Sequence, residues 1–294
     1  MTTTTESVVD SDAPTRMRVS ASKIDTWMHC QLQAKFIYHD RLPRRQNAAA
    51  TFGTCVHKAL EQYNNTGNLD HALEVFTDLW ENPEKIGATP EVWPARMSYG
   101  GLRQRGLDMI RNYHEKLRWD ARDVIATEHS FLVPFGRYDL TGIIDLLEVR
   151  KSGRGQDMLL VVDYKTSTRL PNVLALKVNV QFTAYLYAVQ QPEFWHGNDD
   201  FPAMVNGEYW HEMLKDLPQR AVYYHLESGR EYDVGLREEF DYMRLYRVCQ
   251  MIERAERHKV YLPNISGETC TYCSFTEQCG LPIHADTPDE EAWL

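Results

Sequence analysis

The chain has 294 residues, 43% hydrophobic and 25% charged, which is enough for one large or two small domains with a packed core. Its formal net charge of −10 speaks against a surface coated in basic residues for nonspecific nucleic-acid binding, while leaving room for a local basic groove. No apolar run is long enough to cross a bilayer, and the opening MTTTTESVVDSDAPT lacks the basic start and apolar stretch of a secretory leader. Residues 1–17 and 284–294 read as loose tails and the chain as cytoplasmic, a setting in which six cysteines point to metal rather than to disulfides.

In chain order, SASKIDTWMHCQLQAKFIYH is expected to be a helix, with Ser22 and Asp25 as a capping box and Ile24, Trp27, Met28 and Leu32 as its apolar stripe. DRLPRRQN follows as a loop carrying Arg41, Arg44 and Arg45. Phe52, Val56, Ala59, Leu60 and Tyr63 mark a second helix, and further helices are expected over 70–81 and 99–118. The composition then turns β-branched. DVIATEHSFLVPF, YDLTGIIDLLEV and DMLLVVDYKT predict three consecutive strands, the last two joined by a glycine-containing turn in KSGRGQ. NVLALKVNVQFTAYLYAVQ returns to helix, RAVYYHL reads as a strand, and a long helix runs from about Leu236 to His258. The last organised stretch is CTYCSFTEQC, which places Cys270, Cys273 and Cys279 within ten residues and raises the question of a fourth ligand. Helices, a strand meander, then a helix and another strand imply a mixed α/β core with helical additions.

Chemistry concentrates in the strands. Alternation puts Asp163 and Lys165 on one face, with Tyr164 opposite. A carboxylate at the end of the apolar run MLLVV is costly unless paired or metal-bound. If the turn pairs the two strands, Asp145 approaches Asp163, and a divalent cation relieves their repulsion. A plain Asp163–Lys165 salt bridge with Asp145 capping a turn is the alternative for any one of these residues taken singly. Gln181 and Tyr185 lie one helical turn apart inside the stripe Leu174, Val178, Phe182 and Val189. His57 stands beside the apolar stripe of its helix. His29, His71 and His114 carry only packing or surface readings, and the HEML at His211 lacks the second histidine of a zincin motif.

Taken in order, Cys30, FGTCVHKAL, GIIDLL, VVDYKT, QFTAY and CTYCSFTEQC resemble the RecB-type branch of the PD-(D/E)XK nucleases. Its iron–sulfur members include the AddB nuclease domain and CRISPR-associated RecB-like exonucleases, and related phage exonucleases serve recombination. The resemblance implies a restriction-endonuclease-like core, a central mixed sheet flanked by helices, over about 120–230 within a single domain spanning 18–283. It also implies an iron–sulfur region built from 20–40 and 260–283. In that pattern Cys30 is the fourth ligand, joining Cys270, Cys273 and Cys279 around a [4Fe–4S] cluster, with zinc as the alternative that four thiolates equally suit. Cys55 and Cys249 lack partners at ligand spacing and are expected to pack.

His57, Asp145, Asp163 and the carbonyl of Tyr164 would hold Mg²⁺ or Mn²⁺. Lys165 would act at the scissile phosphate, Gln181 and Tyr185 would position it or the substrate, and Glu128 would support a second metal or the lysine. The implied activity is metal-dependent DNA exonuclease action in recombination, repair or end processing. Prespacer trimming in CRISPR adaptation, a non-catalytic iron–sulfur DNA-binding adaptor and a zinc-stapled structural protein are the competing readings. DNA with an end or single-stranded DNA is the expected partner, alongside a recombination annealing protein or helicase and no membrane. Arg41, Arg44, Arg45, Arg103, Arg105 and Arg111 are candidates for the backbone path, with a solvated helix face as their plain alternative.

Overall fold

Backbone polar groups at the start of the chain choose the first element boundary. Ser20 closes a short strand, β1 (Met17–Ser20), and its hydroxyl accepts from Lys23 N at 3.0 Å to open α1 (Ala21–His29). The cap is therefore Ser20 rather than the expected Ser22, and Met17 belongs to the sheet rather than to a tail. The structure, a computed structural model, describes residues 16–44, 47–89, 98–117, 122–151, 156–195, 214, 216–266, 269–270 and 273–280. The KSGRGQ turn, Arg45, His211 and the C-terminal stretch 284–294 lie wholly or mostly outside that set.

The expected single N-terminal helix breaks at Cys30, whose backbone is extended (φ −159°, ψ 117°); α2 (Gln31–Ala34) and a wider π-helical turn (Lys35–His39) follow. Ile24 and Trp27 are buried as expected, whereas Met28 is 47% exposed. Asn47 caps α3 (Ala48–Thr66), and Gly67 ends it in the left-handed conformation. Asn68 then caps α4 (Leu69–Glu81), and α5 (Tyr99–Leu117) packs back on both. The expected stripes of α3 and α5 are buried.

The three strands of the meander are β2 (Arg122–Phe135), β3 (Tyr138–Lys151) and β4 (Asp157–Lys165). The helix expected after them is split, because Asn172 caps α6 (Val173–Lys177) and Asn179 caps α7 (Val180–Ala188). The break rotates the two segments out of a common face, so Leu174 (73% exposed) and Val178 (50%) lie outside the core while Phe182, Tyr185 and Val189 lie inside it. The short α8 (Pro192–Trp195), β5 (Gln219–His225), β6 (Arg230–Asp233) and the long α9 (Glu239–His258) complete the fold.

These strands make one six-stranded mixed sheet. β2 pairs antiparallel along almost the whole of β3. The other edge of β3 is shared: β1 lies parallel to residues 138–141, and β4 antiparallel to residues 146–151. β4 then pairs parallel with β5, and β5 antiparallel with β6. Each face carries its own core. Leu160, Val162, Tyr164 and Tyr224 pack against α3, α4 and α5, whereas Ile144, Leu147, Val161 and Ala221 pack against α1, α7 and α9. The result is a helix–sheet–helix sandwich, the central mixed sheet flanked by helices that the sequence led one to expect.

Candidate metal centre

The sharing of one β3 edge by two strands creates the site. Pairing of β3 with β4 runs up to Leu146↔Val162 and stops. The next residues in that register are Asp145 and Asp163, so the two carboxylates stand where the strands part. There the ladder is replaced by a side chain: Tyr164 N–H donates to Asp145 Oδ2 at 2.7 Å. Across the sheet, Thr127 faces Leu146 and His129 faces Ile144, which sets Glu128 opposite Asp145. From the neighbouring layer α3 supplies His57, whose Nδ1 lies 3.4 Å from Asp145 Oδ1 and 3.6 Å from Glu128 Oε1.

Among the described residues, the grouping of three metal-ligating side chains with atoms within 4.8 Å of one another is His57, Glu128 and Asp145. Asp163 lies beside it. Its Oδ2 is 2.6 Å from Lys165 Nζ, and its Oδ1 accepts from Gln181 Nε2 at 3.3 Å. Gln181 Nε2 also donates to the Tyr185 hydroxyl at 2.7 Å, so the glutamine bridges strand and helix. Close approach of α7 requires Gly142, where an added Cβ would fall 2.8 Å from the Phe131 ring and 3.3 Å from that of Tyr185.

The electrostatics are those of charges forced together in a dry place. Burial and the nearby Asp145 carboxylate push Asp163 up to about 6 despite Lys165. Burial would also raise Asp145, but His57, Lys165 and the Tyr164 N–H outweigh it and hold this carboxyl below its ordinary value. Burial alone would lower His57, yet Asp145 and then Glu128 raise it to about 10. Asp163 is 2% exposed, and the Lys165 ammonium is the charge partner of its Oδ2. A buried carboxylate beside an imidazole and two further carboxylates is a donor set that suits Mg²⁺ or Mn²⁺.

The opposite face of β4 holds a polar network that the sequence analysis did not anticipate. The Tyr164 hydroxyl meets Tyr113 Oη at 2.6 Å and Asn64 Nδ2 at 3.0 Å, and Arg122 reaches both Tyr113 and Asn64. Arg122 also pairs with Glu148 at 2.8 Å, a carboxylate with no exposure, which Arg150 meets from the other side at 2.5 Å. An arginine opening one strand and a glutamate inside the apolar run LLEV of the next were the available signals.

The arginines are dispersed. Arg105 donates to the carbonyl of Thr166, just beyond Lys165, and to Glu227. Arg44 lies over the Tyr38 ring and borders a cleft between α1–α2 and α3. Arg41 occupies a left-handed backbone conformation in the loop after the π-helical turn. Arg103 and Arg111 pair with Glu81 and Asp108 on the α4–α5 surface, apart from the carboxylate group.

At the chain ends, Cys30, Cys270, Cys273 and Cys279 line one small pocket with Leu32, Phe36, Pro263, Ile265 and Phe275. Asn264 N–H points at Cys30 Sγ, 3.4 Å away. Cys55 and Cys249 are buried in the two cores, where burial pushes their thiols up to about 11 and about 12, as suits packing residues.

Comparison with known proteins yields one strong result. Residues 18–280 match the family described as the PD-(D/E)XK nuclease superfamily. No curated protein matches the chain. A solved structure described as "Crystal structure of SSO0001" aligns over 92% of this chain and 88% of its own, at 13% identity and a TM-score of 0.33, a likeness too slight to bear on fold or function.

Proposed function

Because this chain belongs to the PD-(D/E)XK nuclease superfamily, we propose that it is a metal-dependent DNA exonuclease whose cation is held at the parting of β3 and β4. The observation that carries this is the convergence of His57 and Asp145 with Asp163 and Lys165, contributed by three elements of the fold. When bound, Mg²⁺ or Mn²⁺ supplies Lewis-acid activation of water and of the phosphate. His57, Asp145 and Asp163 would hold it, with the carbonyl of Tyr164 close at hand. Lys165, paired with Asp163 at rest, carries the positive charge needed where negative charge grows on the phosphate oxygens. Gln181 fixes Asp163 and Tyr185 relative to each other, so α7 keeps the lysine's partner in place. Arg105 stands at the end of the same strand, and Arg44 in the neighbouring cleft, where backbone phosphates would pass.

The cysteine pocket supports a structural [4Fe–4S] cluster. The convergence of four thiols in one largely apolar pocket, with a backbone N–H directed at Cys30 sulfur, is what supports this reading, and zinc is the alternative that metal analysis decides.

The test is digestion of end-labelled single- and double-stranded DNA with Mg²⁺, with Mn²⁺ and with EDTA. Asp163→Ala and Lys165→Ala should each lower the rate by at least about 10²-fold with circular dichroism unchanged. Wild-type rates in folded variants reject the site.

A further inference from the structure

The cleft between α1–α2 and α3 leads to the carboxylate group. From the cap of α3 onward, Asn47, Ala50, Thr54 and His57 follow one another at three- and four-residue steps, so they form one stripe along the helix. The first three line the cleft, and its inner end therefore lies one helical turn from His57. Gly53 keeps α3 close to the end of β4, since an added Cβ there would stand 3.4 Å from Thr166 Oγ1. From the other wall, α1 brings Asp25 towards the same end. Burial, then Asp163, Asp145 and Asp25, raise the Tyr185 hydroxyl above its ordinary value, and of these carboxylates Asp25 is the one that lines the cleft.

The lining is divided by chemistry. At the inner end it presents acceptors. The Thr54 hydroxyl donates its proton to the Ala50 carbonyl at 3.2 Å, and the Thr26 hydroxyl donates to that of Ser22 at 2.8 Å. What these hydroxyls have left to offer is lone pairs, and Asp25 adds an exposed carboxylate. Donors belong to the outer end. Arg44 stands there, and Asn47 accepts from Ala49 N–H through Oδ1, which leaves its amide NH₂ to donate. Ile37 and Ile86 supply apolar surface. Acceptors are unfit for phosphate oxygens, but they suit the amino group of a base. The cleft encloses about 600 Å³, the size of a small-molecule site and far too little for a double helix.

We propose that this cleft is a nucleobase subsite, which seats the base next to the scissile phosphate of a single strand and selects, through Asp25, Thr26 and Thr54, bases that carry an exocyclic amino group. This deepens the nuclease reading and rests on it. Arg44 and Asn47 then take the phosphate that follows. Cytosine carries an amino donor where thymine carries a carbonyl, so two bases close in size distinguish recognition from mere fit.

The test uses the full chain, with an oligodeoxycytidylate, an oligothymidylate and a blunt duplex, all of equal length. Digestion is followed with Mg²⁺, and binding of the same probes by fluorescence anisotropy in EDTA. The cytidylate should be digested and bound about tenfold better than the thymidylate, the worth of one well-placed hydrogen bond to a charged or buried group. Asp25→Asn and Thr54→Val should each bring that ratio towards one by weakening the cytidylate alone. Equal handling of the two strands by the wild type, a ratio untouched in both variants, or a duplex preferred to either strand overturns the subsite, while digestion itself leaves the nuclease reading standing. If no probe is digested, the nuclease reading falls and the preference measured in EDTA decides the cleft. Absence of binding as well overturns both.

Discussion

His57 faces two carboxylates, and its protonation state follows from that. In the metal-free chain Asp145 and Glu128 overcome the effect of burial and raise it to about 10. A histidine raised above its ordinary 6.5 contributes stability that is fully present below 6.5 and is lost as pH rises through about 10. A cation must displace that proton, so Mn²⁺ binding should release close to one proton at pH 7.5 and tighten by about tenfold per pH unit between pH 7 and 9. Calorimetry in buffers of different ionisation enthalpy reads the release directly, and an enthalpy independent of buffer would show that His57 is not displaced. At the same scale, spacing and family resemblance singled out Asp145, Asp163, Lys165, Gln181 and Tyr185, and the fold brings these side chains near one another. Glu128 was expected only as a supporting residue, and its approach to His57 goes with a left-handed backbone that leaves no trace in residue order.

At the scale of elements, the decisive feature is the parting of β3 from β4. Both strands were legible as stretches rich in β-branched and apolar residues, but the sharing of a β3 edge by β1 and β4 was not, since β1 has four residues and pairs with a strand some 120 positions away. Helix packing behind the sheet is equally exacting. An added Cβ at Gly106 of α5 would fall 2.1 Å from the Phe76 ring of α4, so Gly106→Ala should cost roughly 1–3 kcal/mol by overpacking despite the better helix propensity of alanine. Urea unfolding measures this, and a neutral or stabilising result would mean that α4 yields easily. Arg122→Ala leaves the fully buried Glu148 with Arg150 as its charge partner and should cost roughly 3–5 kcal/mol. The same variant should also disturb Tyr164 through Tyr113 and Asn64. The helix breaks at Cys30 and at Asn179 belong here too. Both stretches carry helical periodicity, and in both a local backbone preference interrupts it: extended geometry at Cys30, and a side-chain cap from Asn179.

Across the whole molecule, the N-terminal helices hold the end of α9 and the segment after it. Lys23 pairs with Glu256, Asn264 donates to the carbonyl of His29, Gln31 accepts from Leu262 N–H, and Phe36 packs on Phe275. The thiol pocket lies at this junction, so a bound cluster would tie the two ends of the fold and restrict the unfolded chain. Cys273→Ala, or removal of the cluster, should lower the melting midpoint by roughly 5–10 °C. Iron analysis and the visible spectrum of anaerobically purified protein identify the metal, and stoichiometric zinc in place of iron would refute the cluster. Among the described residues no helix is long and apolar enough to cross a membrane.

What residue order determined by itself was periodicity and inventory: most of the longer helices and strands, that an Asp, an Asp-x-Lys and a Gln-x₃-Tyr occur in sequence, and that four cysteines stand near the two ends. Those properties are local, set by 3.6- and 2-residue repeats and by side-chain chemistry. Only the tertiary structure decided that β3 and β4 separate at the two aspartates, that Glu128 turns out of its strand to meet His57, and that Arg122 and Glu148 neutralise each other behind Tyr164. Each of these depends on contacts between residues far apart in the chain, where the cost of burying charge is balanced only by partners that the folded sheet brings into reach.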